Sequence, residues 1–153
     1  NDEEARAAYL KYMNYDVYER TKLFEKQFLE DLRQQDRKFV ATHSGLTYKI
    51  ADIGDMKRVI RNNRDTIHLR YRILDQAGTV IDTTYYQNDT LRLAVGSMPR
   101  GVIEAAKLIG EGGHMEAWLP SNIAFGSAGC DSLGIAPNTM LYYELWLIDI
   151  EKR

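Results

Sequence analysis

The residues with chemical reach are few and scattered along the chain. Cys130 is the single cysteine, so neither an internal disulfide nor a thiolate zinc cluster can form within it. A thiol nucleophile would need a base, and His114 is the candidate, but nothing in the spacing places the two side chains together; a free loop thiol among Gly129, Asp131 and Ser132 is the simpler reading. His43, His68 and His114 lack ligand spacing, which predicts no metal site. The cluster from Gly110 to Gly113 is not followed by Lys-Ser or Lys-Thr, so it reads as a turn and not as a phosphate loop. What remains is a carboxylate in apolar company. Asp82 follows Val80 and Ile81, and a carboxylate beside an apolar strand needs a partner, for which Tyr71, Arg92 and Arg100 are candidates. A structural hydrogen bond and a part in binding a substrate both fit.

The elements that must position Asp82 are organised around residues 91–118. Pro99 fixes φ at a helix start, and Val102, Ile103, Ala105, Ala106, Leu108 and Ile109 follow as a run that is apolar almost all round. A helix over 99–109 with so little polar surface must be covered on most sides, and only β-rich sequence is available to cover it. Glu111-Gly112-Gly113 stops it and turns the chain into the next strand. Residues 66–74 form the clearest strand, with Ile67, Leu69, Tyr71 and Ile73 alternating with His68, Arg70 and Arg72. Turn residues at 75–78 lead to a second strand at 79–84, giving a hairpin. Leu91, Leu93 and Val95 make a further inward-facing row. A strand at 115–119, a long irregular loop at 120–137 and a closing strand at 140–150 complete an α+β order rather than an alternating α/β one.

Upstream, residues 2–40 are charged, lack Gly and Pro, and carry Leu10, Met13, Val17, Phe24, Phe28 and Leu32 at helical spacing. This predicts an amphipathic helix or two, with a break near Asn14, Tyr15 and Asp16, where Asp16 could cap a second helix. Residues 41–45 read as a linker and 46–50 as a first strand. Lys57, Arg58, Arg61 and Arg64 fall in a solvated loop or edge hairpin over 52–65. In the last strand Leu141, Tyr143, Leu145 and Leu147 take the inner face, leaving Tyr142, Trp146, Ile148 and Ile150 outside together with Trp118. So apolar an outer face needs a cover, and either the segment 17–32 or the same face of a second chain is expected to supply it.

The chain has 153 residues, 44% of them hydrophobic, enough for one folded domain with an appendage. A net charge of −2 and a pI near 5.9 give no basic field, which argues against nucleic acid or an anionic membrane surface as partner. No apolar run is long enough to cross a bilayer and there is no secretory signal, while a start at Asn1 rather than methionine fits a trimmed precursor.

From residue 66 onward the chain resembles the FKBP-type peptidyl-prolyl isomerases, a family that also binds macrolide immunosuppressants. The resemblance lies in Leu69-Arg70-Tyr71, in Thr79-Val80-Ile81-Asp82-Thr83-Thr84, in residues 91–96, in Arg100-Gly101-Val102 with the helix after it, in 119–126, and in Gly134-Ile135-Ala136-Pro137-Asn138 running on to Ile150. It implies a five-stranded antiparallel sheet curled around one short helix with a proline-binding pocket between them, the domain spanning 44–153 behind a helical segment at 1–40. The family's chemistry needs no nucleophile, cofactor or metal. Amide resonance holds the peptide bond planar behind a barrier of about 18 to 20 kcal/mol. A twisted amide is less polar, so an apolar pocket that strips water from the prolyl carbonyl favours it.

Carried over residue by residue, the resemblance implies catalytic roles for Tyr71, Asp82 and Phe125, and a lining of Ile81, Leu91, Met98, Pro99, Val102, Ile135 and Tyr143. Several positions depart from the family. The floor, typically tryptophan, is Val102, and one phenylalanine wall is Ile81, which implies a wider, less aromatic slot. A donating tyrosine hydroxyl is replaced by Phe125, and a donating backbone N–H by Pro99. At about 0.5 to 1.5 kcal/mol net per hydrogen bond, losing both costs tenfold or more in binding. The expectation is therefore a weak prolyl isomerase and folding helper acting on exposed prolyl peptides, with poor macrolide affinity. The alternative is a non-catalytic module that holds a protein partner through the pocket or the outer face. A homodimer through the N-terminal helix or outer face, and residence in the bacterial periplasm or as an outer-membrane-anchored lipoprotein, otherwise the cytoplasm, complete the expectations.

Overall fold

A computed structural model describes residues 1–84 and 90–152. The chain opens with α1 (Asp2–Gln35), a single uninterrupted helix of 34 residues. At 1.5 Å per residue it is about 50 Å long. Its start is closed by a capping box, in which the Asn1 side chain accepts from the Glu4 N–H while Glu4 reaches back to Asn1. The break expected near Asn14 to Asp16 is absent. Asp16 pairs instead with Arg20 one turn on at 2.9 Å, and with no Gly or Pro nearby the weaker helix formers cost only a few tenths of a kcal/mol each.

The strands follow as β1 (Val40–Ala41), β2 (Thr47–Asp52), β3 (Asp55–Val59), β4 (Thr66–Leu74), β5 (Val80–Thr83) and β6 (Leu91–Ala94); after α2 (Arg100–Ala106) come β7 (Gly110–Glu111), β8 (His114–Leu119) and β9 (Leu141–Ile150). The main sheet is antiparallel throughout in the order β1-β2-β8-β9-β4-β5. β5 and β6 share one edge of β4, β6 pairing with residues 66–69 and β5 with 72–74. The expected antiparallel α+β sheet is present with seven strands rather than five: β5 and β6 together fill one position beside β4, and the two-residue β1 adds a further edge. The 52–65 segment is not a hairpin with itself: β3 pairs with β7 in a separate ladder. Gly110 permits this, because a Cβ there would collide with the Asp55 carbonyl oxygen.

The short helix α2 ends at Ala106, earlier than its apolar run predicts, although Ile109 remains fully buried beyond it. Val102, Ala105 and Ala106 face the concave side of the sheet and join Leu46, Ile67, Leu69, Met115, Leu119, Leu141, Leu145 and Leu147 in one core. One outer-face assignment needs correcting. Ile150 is buried, 6% exposed, and not on the outer face. A bulge opposite His68 and Leu69 sets Ile67 against Ile150 but Leu69 against Leu147, so the extra residue on β9 reverses the alternation after Ile148.

The outer face is covered at one end by α1. Phe28 sits 5.1 Å from Trp118, which meets Tyr142 edge-on at 5.1 Å. The docked stripe is Glu25, Phe28, Leu29 and Leu32, whereas Val17 and Phe24, expected to share it, are exposed. Trp146 lies beyond this cover and is stacked instead by His114 at 4.4 Å. Asp36 and Lys49, 2.7 Å apart, fasten the exit of α1 to β2.

Candidate functional site

The alternation of β4 and β9 turns Leu69, Tyr71, Ile73, Tyr143 and Leu145 toward α2, and between them lies a hollow of about 150 Å³. Val102 on α2 and Met98 and Pro99 just before it close one side; Leu91 and Leu93 of β6 and Phe125 and Leu133 of the loop after β8 close the others. Two backbone features set these walls. Pro99 caps α2, its carbonyl accepting from the N–H groups of Val102 and Ile103, each at 3.0 Å. Gly101 lets the first turn press against the end of β8, where a Cβ would meet Leu119 Cγ at 2.7 Å and the Ile123 oxygen at 2.9 Å. The loop carrying Phe125 and Leu133 is closed on itself by paired Cys130 and Ile135 backbone bonds of 2.8 and 2.9 Å, and by Asn138 N–H to the Gly126 oxygen at 2.9 Å.

Polar reach into the hollow is concentrated at one end. The Tyr71 hydroxyl donates to Asp82 Oδ2 at 2.6 Å, and Asp82 Oδ1 accepts from the Thr83 N–H at 2.9 Å. Of the three partners foreseen for Asp82, Tyr71 is the one it has: Arg92 binds Glu151, and Arg100 donates to the Asn122 carbonyl. Burial, with the carboxylate as a second cause, pushes the Tyr71 hydroxyl far above its ordinary pKa. Tyr143 is raised too, by burial first and then by Tyr71, Asp82 and Cys130. Both stay protonated across the physiological range.

Of the residues foreseen, Tyr71, Asp82, Leu91, Met98, Pro99, Val102, Phe125 and Tyr143 meet around this one hollow. Ile81 and Ile135 do not line it. Ile81 packs against the core from β5, and Ile135 is buried in that core, 4% exposed. Leu91, read as inward-facing, stands at the rim with 41% of its surface exposed. Leu69, Ile73, Leu93 and Leu145 were recoverable from the same alternations as Tyr71 and Tyr143, whereas Ser97 and Leu133 carry no signal in the sequence. The pairing of Cys130 with His114 does not occur: the thiol lies 3.3 Å from Ser132 Oγ, and His114 bonds Glu144 at 3.0 Å on the outer face. Among the described residues no three His, Cys, Asp or Glu side chains gather as metal ligands, and no helix is long and apolar enough to cross a membrane. A water-poor slot with one committed carboxylate suits a compact apolar ring carrying a peptide on either side.

A family model described as FKBP-type peptidyl-prolyl cis-trans isomerase matches residues 58–148, more than half of the chain, and the chain belongs to that family. Similar curated proteins include a probable FKBP-type peptidyl-prolyl cis-trans isomerase FkpA of Neisseria meningitidis serogroup B, 31% identical over 71% of this chain and 39% of that protein. The outer membrane protein MIP of Legionella longbeachae is 30% identical over 74% of this chain and 47% of that protein. The chain thus spans less than half the length of these relatives. Among solved structures, FkpA from Escherichia coli superposes with a TM-score of 0.77 at 23% identity, covering 97% of this chain and 69% of that one. A peptidyl-prolyl cis-trans isomerase from Pseudomonas syringae pv. tomato gives 0.74 at 19% identity, covering 88% of this chain and 96% of that one. At these identities the superpositions speak to the fold.

Proposed function

We propose that this chain is a weak peptidyl-prolyl cis-trans isomerase and folding helper acting on exposed prolyl peptides, with residues 44–153 as the isomerase domain and 1–40 as a helical appendage. The observation that carries the proposal is the apolar hollow closed at one end by the Tyr71–Asp82 pair. A prolyl ring enters between Leu69, Val102 and Tyr143, and the carbonyl before it leaves water for surroundings that favour the less polar, twisted amide. Asp82 holds the Tyr71 hydroxyl in place and fixes that wall. Rate enhancement on a prolyl peptide that is lost in Tyr71→Ala and Asp82→Ala, both still folded, supports catalysis; a clean absence of enhancement in the folded wild type removes it.

One observation favours a second reading, a module that holds a protein partner without catalysis. Phe125 lines the hollow with no side-chain donor, and Pro99 with no backbone donor. Binding of a prolyl peptide with no rate enhancement would select it. The N-terminal half of α1 leaves Tyr9, Leu10, Tyr12, Met13 and Val17 exposed, which supports a homodimer through this helix. A sedimentation mass equal to one chain would exclude it. The similarity to a relative named as an outer membrane protein supports an extracytoplasmic site, with a lipid anchor as the stricter version.

A further inference from the structure

The hollow is poor in hydrogen-bond donors, and most of those it has are spent. Phe125 has no hydroxyl and Pro99 no N–H. The proton of Tyr71 goes to Asp82, and that of Ser97 to the Ala94 carbonyl at 2.7 Å. The Met98 and Val102 N–H groups are taken by the carbonyls of Val95 and Pro99. Among the side-chain donors Tyr143 is the exception. Its side chain is 95% buried, being 5% exposed, yet among the described residues its hydroxyl has no hydrogen-bond partner. Tyr143 lines the hollow beside Tyr71 and Asp82. Ile73 and Ala117, opposite Tyr143 in the sheet, have no side-chain acceptor to offer. A buried hydroxyl without a partner is costly unless it opens onto a site that water or a ligand fills.

Resting on the isomerase reading, we propose that the Tyr143 hydroxyl donates a hydrogen bond to a backbone carbonyl of the bound prolyl peptide, standing in for the donors missing at Phe125 and Pro99. The carbonyl concerned is a neighbour of the rotating one. A hydrogen bond to the rotating carbonyl would stabilise the planar, polar resonance form and raise the barrier, whereas one to a neighbour holds the peptide in register at no such cost. Tyr143 then acts as a catalytic residue through substrate contact, and its buried hydroxyl keeps its proton at neutral pH.

Tyr143→Phe removes one oxygen and keeps the packing, so the test starts there. With a tetrapeptide carrying an apolar residue before its proline, the variant is expected to raise KM about three- to tenfold and to leave kcat within about twofold. Adding Phe125→Tyr to that variant, which returns a donor to the opposite wall, is expected to recover most of the loss. An unchanged KM, or a raised kcat, overturns the proposal. Should the wild type show no isomerisation, the same peptide is titrated into protein carrying ¹³C at tyrosine Cζ. A shift of the Tyr143 signal, assigned with Tyr143→Phe, upholds the hydroxyl contact while the isomerase reading falls. Peptide binding without that shift, or no binding at all, overturns the contact.

Discussion

Replacing Glu25 with alanine should loosen α1 from the rest of the protein. Glu25 is 4% exposed, and its carboxylate accepts from the Ser121 N–H at 2.6 Å and from the Ser121 hydroxyl at 2.8 Å. Ser121 is itself 2% exposed, so truncation leaves its N–H buried without an acceptor. Hydrogen bonds to a charged group contribute about 1.5 to 3 kcal/mol each, and an orphaned buried donor costs about 1 to 3. Removing the desolvated carboxylate recovers part of this, since burial is the largest influence on Glu25 and pushes its pKa up against the pull of the two Ser121 bonds. The expected loss is about 2 to 4 kcal/mol, read from urea unfolding followed by circular dichroism and tryptophan emission. Because Phe28 covers Trp118 three residues further along the helix, native-state emission should also shift to the red. Glu25→Gln resembles the protonated carboxyl and should cost less than about 1 kcal/mol at neutral pH. The pH dependence has a definite sign. A carboxyl whose folded pKa lies above its unfolded value contributes most below the ordinary 4.5, and that contribution fades as pH rises through the folded value. Glu25→Gln should remove this slope. Alanine and wild-type proteins within 0.5 kcal/mol of each other, with identical emission, would refute the reasoning.

Two further perturbations test the fold around the hollow. Ile150→Ala should cost about 2 to 4 kcal/mol while Ile148→Ala, two residues away on the same strand, stays within about 0.5; equal costs in urea unfolding would deny the bulge that turns Ile150 inward. Arg92 and His68 hold the Glu151 carboxyl down to a pKa of about 2, the Arg92 hydrogen bond being the larger cause. A depressed pKa stabilises above 4.5, and the effect is lost as pH falls toward about 2. Arg92→Ala should therefore move the Glu151 carboxyl midpoint upward in a ¹³C NMR titration, and an unmoved midpoint would contradict the pairing.

Much of the domain is legible in the sequence because two periodicities are clean. The alternation of Ile67, Leu69, Tyr71 and Ile73 defines β4, and the matching row in β9 places Tyr143 and Leu145 across from it. Those rows, with Pro99 and Val102, hold half of the fourteen residues around the hollow, whereas a pocket at that place, and Met98, Leu91 and Phe125 in its walls, are implied only by the family resemblance. Three features were hidden for physical reasons. The bulge before Ile150 depends on cross-strand register, which one strand's own residues do not encode. The docked stripe of α1 runs through Glu25 rather than Phe24, because a glutamate reads as a surface residue until its partner Ser121, 96 positions away, is known. Ile81 and Ile135 are placed in the pocket by resemblance, whereas strand geometry leaves Ile81 partly buried against the core and loop geometry buries Ile135 within it. The helix break failed for a simpler cause: weak helix formers without Gly or Pro do not stop a helix that ion pairs support.

The central claim is that the hollow beneath β4 and β9 accepts a prolyl ring and eases rotation of the bond before it. Exchange NMR on a short prolyl peptide, with catalytic amounts of protein, measures this directly. The account predicts faster cis-trans exchange with wild type, loss of that acceleration in folded Asp82→Ala, and none of that loss in Lys57→Ala, whose side chain lines a separate charged groove. Exchange no faster than in buffer, or acceleration that survives Asp82→Ala in full, would contradict it.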